Sequence, residues 1–262
     1  MAESRLYRME GLVLKTSFLG DRDVLVTLIS KDGSKLKAMA WGARKLTSRK
    51  MGHIEQLNQI DATLYRGRNM PSISQVQSIY SFEIIKGNLE RLSQSLYMTE
   101  LVDGFSVEGN SNPQLYKLFL DCLHSLQDLN INYMIIPFFQ FNLLRVCGYM
   151  PELYRCVECD QKLDLHRKRF CIELGGLLCD TCRPEQGLIR FAEDDTVQIL
   201  RLFNSTENVP CPSIITSEHI YRELRSILHE SIRYWLDKDI YSSDFMDHIE
   251  WNSREQFHLN YK

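Results

Sequence analysis

Apolar and polar residues alternate in short runs along the first eighty residues, which is the pattern of β-strands with one buried face. The clearest run covers residues 24–29, and residues 35–41 alternate again after the Asp32-Gly33 turn, so these two strands should form a hairpin. The same alternation marks three further strands, at residues 11–17, 59–65 and 72–79. Five strands of this length predict a small closed β-barrel.

After residue 81 the apolar positions recur every three to four residues, which is the period of an amphipathic helix. The strongest signal follows Asn112 and Pro113, which suit an N-cap and a first helical position. The apolar residues that follow fall on one face: Leu115, Leu118, Phe119, Cys122, Leu123 and Leu126. Further helices are predicted at residues 83–107, 133–147, 194–203 and 218–236. The pattern weakens from Asp237, so we expect a loosely docked tail there.

The change of period predicts an α+β chain of several parts. The first part, at residues 1–80, is a five-stranded OB-fold β-barrel, the fold named for oligonucleotide binding. An all-helical domain follows, and a cysteine-rich module interrupts it. We place the helical domain at residues 81–152 and 188–240, the module at 153–187 and a C-terminal tail at 241–262.

Two Cys-x-x-Cys pairs are separated by nineteen residues: Cys156 with Cys159, and Cys179 with Cys182. This spacing matches a zinc ribbon, in which each pair supplies two corners of a tetrahedron and the hairpin between them brings the pairs together. Four protein ligands leave no open position on the metal, so we predict one structural Zn²⁺. Redox pairs or reduced structural cysteines are the alternatives. Two residues between the pairs could replace a ligand: His166 and Cys171.

The formal net charge of -3 hides an asymmetry between the two ends of the chain. Residues 1–80 carry thirteen Lys and Arg against seven Asp and Glu, whereas the rest carries eighteen against twenty-seven. No acidic residue occurs between Gly33 and Ile54. Lys and Arg neutralise phosphates and an indole ring can stack on an unpaired base, so this half is the predicted nucleic-acid surface.

The candidate DNA-binding residues lie in the basic segment and in the first and last hairpin loops of the barrel. They are Arg22, Lys35, Lys37, Trp41, Arg44, Lys45, Arg49, Lys50, Arg66 and Arg68. The alternative is a solvated basic loop that only aids solubility. Trp41 fits either a stacking role or, on strand alternation, a place in the barrel core.

Motifs of catalysis and of membrane insertion are missing from the sequence. It contains no phosphate-binding Gly-rich loop, Gly-x-Ser-x-Gly elbow or His-Glu-x-x-His pair, so we expect neither an enzyme nor a small-molecule substrate. The longest apolar cluster, residues 133–141, is shorter than a membrane span, and the N-terminus lacks the apolar core of a signal peptide. We therefore expect a cytoplasmic protein with no membrane partner.

Several stretches form an ordered set of motifs along the chain. Residues 141–153 read FNLLRVCGYMPEL, with a Gly-Tyr-x-Pro turn before Cys156, and Gly175-Gly176 precedes the second cysteine pair. Barrel motifs occur at residues 11–15, 21–30 and 42–45. In this order, over residues 8–183, the motifs resemble the RecO family of bacterial recombination and repair proteins. One departure is Asp21, where that family is expected to have Glu.

The resemblance implies a recombination mediator with an N-terminal OB barrel and a helical domain that a zinc module interrupts. Such proteins bind single- and double-stranded DNA, anneal complementary strands, contact the acidic tail of single-strand binding protein and join RecR to load RecA. It further implies a bacterial cytoplasmic protein associated with the nucleoid. The main alternative function is a zinc-ribbon factor that acts on RNA in transcription or translation. A protein-assembly module is the third.

The predicted helix at residues 218–236 carries a stripe of basic side chains on one face. Arg222, Arg225 and Arg233, with His229 between them, are spaced three, four and four residues apart. Arginine suits carboxylates, so this stripe is a candidate site for the acidic tail of single-strand binding protein. Three apolar residues beside it are expected to add contact: Tyr221, Leu228 and Ile232. The alternative is a solvated face whose charge is balanced by Glu218, Glu223 and Glu230.

Overall fold

The computed structural model describes residues 5–128, 133–164, 168–184, 187–206, 214 and 216–259, with side chains described up to residue 250. The chain divides into two compact units. The first joins residues 1–123 with residues 241–262, and the second is residues 124–240. The predicted barrel boundary at residue 80 therefore falls inside the first unit, which also includes helices from both ends of the chain.

Five strands close into the predicted OB barrel, in the order β1-β2-β3-β5-β4. They are β1 (Leu6–Leu19), β2 (Asp23–Ser30), β3 (Lys35–Ala40), β4 (Gln59–Tyr65) and β5 (Ser72–Tyr80). The long β1 pairs antiparallel with β4 through its first half and with β2 through its second. A register shift between Val13 and Lys15 lets this strand bend from one neighbour to the other, as barrel closure requires. The parallel contact Met39–Ser72 completes the barrel.

Side chains from all five strands fill the barrel, among them Val13, Val26, Ala38, Ile60 and Ile73. The alternation seen in the sequence therefore reflects one face that points into this core and another that points outward. Burial of these apolar groups is the main term that stabilises the barrel.

Seven helices occur among the described residues. In chain order they are α1 (Glu83–Lys86), α2 (Leu89–Phe105), α3 (Pro113–Gln127), α4 (Ile135–Val146), α5 (Asp194–Ser205), α6 (Glu218–Leu236) and α7 (Tyr241–Leu259). None of them is long and apolar enough to cross a membrane.

The single helix predicted at residues 83–107 is two helices. Gly87 ends α1, and the side chain of Asn88 accepts a hydrogen bond from the backbone N–H of Arg91, so it caps a new helix. The apolar period continues across this break, which is why it was missed.

Residues 241–259 form α7, whereas the sequence predicted a loosely docked tail. This helix packs on α2 in the first unit. Met246 is fully buried, and the amide of Gln94 donates to the Glu250 carboxylate over 3.3 Å. Because α7 has few apolar residues, its sequence gives a weak helical pattern. The surface on which it packs belongs to α2, which is far away along the chain.

In the second unit, α4 is buried nearly all round, as its apolar sequence predicted. Phe138 meets Phe203 of α5 edge to face at 5.5 Å between ring centroids. A three-stranded sheet of order β7-β6-β8 belongs to the same unit: β6 (Lys168–Cys171), β7 (Gly176–Leu178) and β8 (Ile189–Ala192).

Candidate metal centre and nucleic-acid interface

The first cysteine pair lies in a tight turn between Tyr154 and Gln161. The backbone N–H of Cys156 donates to the Gln161 carbonyl at 2.8 Å, and that of Asp160 donates to the Cys156 carbonyl at 2.9 Å. Asp160 adopts a left-handed backbone conformation that closes the turn. The two thiols are thereby held on one side of a knuckle.

The second pair follows β7 directly. The backbone N–H of Cys182 donates to the sulfur of Cys179 at 3.4 Å, and the Thr181 hydroxyl lies 3.1 Å from the same sulfur. The guanidinium of Arg169 donates to the Cys182 carbonyl at 2.8 Å, which ties this turn to β6.

Backbone hydrogen bonds between β7 and residues 152–157 bring the two knuckles together. The N–H of Val157 donates to Leu177, and the N–H of Leu177 donates to Glu152. A Cβ atom at Gly176 would lie 2.6 Å from the Glu152 carbonyl oxygen, so only glycine permits this approach. The Gly-Gly pair before the second knuckle is thus a requirement of the packing.

The four predicted metal ligands converge: the sulfur atoms of Cys156, Cys159, Cys179 and Cys182 all lie within 4.8 Å of one another. The sulfurs of Cys159 and Cys179 are 3.8 Å apart. Tetrahedral Zn²⁺ with bonds of about 2.3 Å sets its sulfur ligands about 3.8 Å apart, so the cluster fits this ion.

The electrostatics of the cluster favour a thiolate. The hydroxyl of Thr181 and the N–H of Cys182 lower the pKa of Cys179 to about 5. The thiol of Cys182, beside that charge, has its pKa raised to about 12. Negative charge thus gathers where a cation would be held.

Cys171, which the sequence offered as a substitute ligand, is not part of the four-cysteine cluster. Cys171 is buried, and its thiol is directed to the Glu173 carboxylate at 3.8 Å. The second substitute, His166, lies outside the described residues.

A second cluster of ligand-type side chains, Glu193, His219 and Glu223, joins α5 to α6. The Glu223 carboxylate accepts hydrogen bonds from the Glu193 N–H and the Thr196 hydroxyl, so it caps the first turn of α5. His219 contacts the Glu193 carboxylate at 3.1 Å. Helix capping accounts for this arrangement.

At one end of the barrel, the turn between β1 and β2 meets the segment that follows β3. The N–H of Arg44 donates to the Arg22 carbonyl at 3.0 Å, and the Arg44 guanidinium donates to the Gly20 carbonyl at 3.1 Å. The N–H of Gly42 donates to the Asp23 carboxylate at 2.7 Å. Four predicted DNA-binding residues in these segments are exposed: Arg22, Arg44, Lys45 and Arg49.

The loop between β4 and β5 reaches the same end of the barrel. The N–H of Met39, near the end of β3, donates to the Pro71 carbonyl at 2.9 Å. Arg66 and Arg68 in this loop are exposed, and the Arg66 guanidinium lies 5.3 Å from the centre of the Tyr7 ring. Six exposed basic residues thus lie at this end of the barrel, and we call them the basic barrel end: Arg22, Arg44, Lys45, Arg49, Arg66 and Arg68.

Trp41 lies next to the basic barrel end, between β3 and Arg44. Its side chain is 59% exposed, so it does not lie in the barrel core as strand alternation suggested. The alternation stops at Ala40, where β3 ends. The indole ring is therefore available at the surface.

The remaining three predicted binding lysines make contacts within the protein. Lys35 is only 14% exposed, and its ammonium contacts the Asp103 carboxylate at 2.5 Å and the Asp103 carbonyl at 2.6 Å. Lys37 pairs with Glu108 at 2.7 Å. The ammonium of Lys50 donates to the Ile73 carbonyl at 2.7 Å, and burial lowers its pKa.

One residue that the sequence did not single out belongs to the basic barrel end. Phe18, near the end of β1, is 59% exposed, and the Arg44 guanidinium lies 4.4 Å from the centre of its ring. As an apolar residue in a strand, it looks like a core residue from sequence alone.

The stripe on α6 is present, but its surroundings differ from the expectation. Tyr221, Leu228 and Ile232 are buried, so they offer no apolar contact to a partner. The arginines make contacts along the protein itself. Arg222 pairs with Glu218 at 2.9 Å, Arg233 lies 3.7 Å from Asp239, and Arg225 is over the Tyr221 ring.

Comparison with known proteins gives one family across the chain. The family model described as Recombination protein O N terminal matches residues 1–82, and that described as Recombination protein O C terminal matches residues 86–244. A relative from Desulforamulus reducens named DNA repair protein RecO is 31% identical over 246 residues, which cover 94% of this chain and 95% of the relative. Proteins of the same name from Pelotomaculum thermopropionicum and a Roseiflexus species are 29% and 30% identical over 93% and 94% of this chain, and 94% and 86% of their own. The chain therefore belongs to the RecO family of DNA repair and recombination proteins.

Proposed function

We propose that this protein is a non-catalytic recombination mediator that binds DNA through the basic barrel end. The observation that supports this best is the gathering of six exposed basic residues from three separate chain segments at one end of the barrel: Arg22, Arg44, Lys45, Arg49, Arg66 and Arg68. Cations held on a preformed surface neutralise phosphates and release counterions, which drives binding without regard to sequence. Such a surface serves both single strands and duplex DNA.

The two lysines on β3 have a structural role in this proposal. Lys35 and Lys37 on β3 pair with Asp103 and Glu108, which follow or lie within α2. These acidic groups neutralise the lysines and repel phosphate. The DNA path is therefore confined to the loops at the basic barrel end.

The cofactor in this proposal is one structural Zn²⁺, held by Cys156, Cys159, Cys179 and Cys182. Four thiolates fill a tetrahedral coordination sphere, so the ion holds the two knuckles together and supplies no reactive position. Zinc does not act on DNA in this scheme.

The partners in this proposal follow from the family. The protein anneals complementary strands, joins RecR and helps to load RecA onto DNA coated by single-strand binding protein, in the bacterial cytoplasm and on the nucleoid. The acidic tail of single-strand binding protein is assigned to the arginine stripe of α6. Replacing Arg225 and Arg233 with alanine should weaken binding of a labelled tail peptide and leave binding of naked DNA unchanged. Equal peptide affinity of the variant and the wild type would remove this assignment.

The DNA-binding proposal is tested by the salt dependence of oligonucleotide binding. The variant Arg44→Ala with Lys45→Ala should flatten the slope of log affinity against log salt by about 1.4 on single strands, since each lost phosphate contact removes about 0.7. The matched control is Lys31→Ala with Lys117→Ala, which removes two exposed cations that lie outside the basic barrel end. An unchanged slope in the first variant would place the DNA elsewhere.

The same assay separates DNA from RNA. We expect the protein to bind single-stranded DNA and duplex DNA at a salt concentration where its affinity for RNA of the same sequence is no higher. A clear preference for RNA would instead favour a zinc-ribbon factor acting on RNA.

A further inference from the structure

Phe18 occupies a position where the barrel core ends and the solvent begins. It pairs with Val24 across β1 and β2, and Val24 pairs with Ala40 across β2 and β3. Val24 and Ala40 are fully buried, so alternation directs Phe18 to the inner side of the barrel wall. Because the strands stop here, no further layer of the described residues covers the ring, and Phe18 is 59% exposed.

The contact that Phe18 makes is with a cation. The Arg44 guanidinium lies 4.4 Å from the ring centroid, within the range of cation–π attraction. The Arg44 guanidinium donates a hydrogen bond to the Gly20 carbonyl, and the Arg44 backbone N–H donates one to the Arg22 carbonyl, so both parts of the residue are held in place. The ring and the charge are therefore held together before any ligand arrives, which lowers the entropy that a ligand must lose to use them.

We propose that the Phe18 ring is a stacking platform for an unpaired base of single-stranded nucleic acid, with Arg44 holding the ring and neutralising the adjacent phosphate. The inference rests on the proposed function, because the basic barrel end must first attract the strand. It goes further by assigning the recognition of unpaired bases to an aromatic ring, which adds affinity for single strands to the charge attraction that both kinds of DNA share. Bases in a duplex are stacked on one another and cannot use this ring.

Trp41 gives the platform a neighbour at a suitable separation. Phe18 and Trp41 lie on or directly after β1 and β3, which have β2 between them. Adjacent strands are about 4.8 Å apart, so the two backbones are about 10 Å apart. An extended single strand covers that distance in two or three nucleotides. Both residues are exposed, so one bound strand is long enough to reach both of them.

The charged groups around the platform agree with a polyanionic ligand. Arg22, Arg44 and Lys45 are exposed beside it. Of the two acidic residues between Gly20 and Val24, Asp21 is exposed and Asp23 accepts a hydrogen bond from the Gly42 N–H, so the three exposed cations outnumber the exposed carboxylate. An apolar peptide would gain the ring but would leave these cations without counter-charges.

The test uses three probes: an oligothymidylate of about twelve nucleotides, which is within the site size of one OB fold, an abasic strand of the same length and backbone charge, and a blunt duplex. Because the duplex has a higher charge density, each variant is compared with wild type on the same probe. The variant Phe18→Leu keeps an apolar side chain and removes the ring, and Phe18→Trp restores an aromatic surface. Phe191→Leu is the matched control, since Phe191 is a 61% exposed phenylalanine in the second unit. Fluorescence anisotropy at one fixed salt concentration gives the affinities.

We expect Phe18→Leu to weaken oligothymidylate binding by about fivefold to a hundredfold, the range found when a stacked base loses its aromatic partner. Binding of the abasic strand and of the duplex should stay within twofold of wild type, and Phe18→Trp should recover oligothymidylate binding. The inference is overturned if Phe18→Leu weakens all three probes equally, because Phe18 then acts only by positioning Arg44. It is also overturned if the variant binds every probe like wild type, while the proposed function stands. Failure of wild type to bind any probe would reject the proposed function itself.

Discussion

Lysines that look alike in the sequence have different roles in the structure. Lys35 and Lys45 both belong to the basic segment without acidic residues, and both are plausible phosphate ligands by composition. Lys35 is largely buried against Asp103, which lies 68 residues further along the chain, whereas Lys45 is exposed. A pairing over that separation depends on how α2 packs on the barrel. The sequence therefore predicted the positive charge of this segment and could not separate its exposed lysines from those that pair within the protein.

Lys35 gives a prediction that tests this division. Replacing it with alanine leaves the Asp103 carboxylate without its partner in a partly buried position, which should cost about 1–3 kcal/mol of unfolding free energy. Chemical denaturation measures this loss, and oligonucleotide affinity should change less than twofold. Lys45→Ala is the matched control, with nearly unchanged stability and weaker binding. The assignment fails if Lys35→Ala is fully stable but binds poorly.

At the level of elements, the strands and most helices follow from hydrophobic period and capping residues. Four barrel strands were predicted within one residue of their observed bounds, because inward and outward positions alternate around a closed core, whereas β1 begins five residues before the predicted start at Gly11. The helix at Pro113 begins where its Asn112 cap indicated, and that side chain accepts from the Leu115 N–H at 3.2 Å. Among the helices, the errors occur at α1, which is too short to have a period, and at α7, whose packing depends on α2. The short strand β8 (Ile189–Ala192) was not predicted, and it lies in the range assigned to the helical domain.

The clustering of the four cysteines was predicted from their spacing alone, since knuckle spacing leaves few other arrangements. What the spacing could not supply is the close approach of β7 to residues 152–157 at Gly176. A backbone contact of this kind is set by the tertiary fold. It explains why the second pair follows a glycine pair.

The zinc prediction concerns the module around the two knuckles. We expect purified protein to contain about one zinc per chain, and Cys182→Ser to lose it and to expose residues 153–184 to proteolysis, since structural zinc supplies folding free energy on the order of 10 kcal/mol in small modules. Elemental analysis and limited proteolysis measure both effects. Cys147→Ser, a cysteine outside the cluster, is the control and should keep the metal. Protein purified without chelator that contains no metal would contradict the prediction.

At the level of the whole molecule, the first unit is built from both ends of the chain. The carboxylate of Glu100 on α2 accepts hydrogen bonds from the N–H groups of Tyr241 and Ser242, at 3.0 and 2.8 Å, and from the Ser242 hydroxyl. These are the orphan donors at the start of α7, so Glu100 serves as its cap from another helix. The family model for the C-terminal part ends at residue 244, only a few residues into this helix.

Truncation after residue 240 should therefore weaken the first unit. Removing α7 exposes the surface of α2 that Met246 and its neighbours cover, and we expect a lower melting temperature and association at high concentration. Glu100→Ala should act in the same direction and cost about 1 kcal/mol, the usual value of a helix cap. Deletion of residues 260–262 alone is the control. A truncated chain that melts like wild type would show that α7 adds nothing to the unit.

The discontinuity of the first unit also sets an order of events during synthesis. A ribosome adds about 5–20 residues per second, so the roughly 120 residues between the end of the first segment and the start of α7 take about 6–24 s to make. The barrel has all its strands at the beginning of that interval, and the second unit completes its chain within it. The covering of α2 is the last of these steps, because α7 is synthesised after the barrel and after the second unit. Until then, the surface of α2 that α7 covers stays exposed on the growing chain.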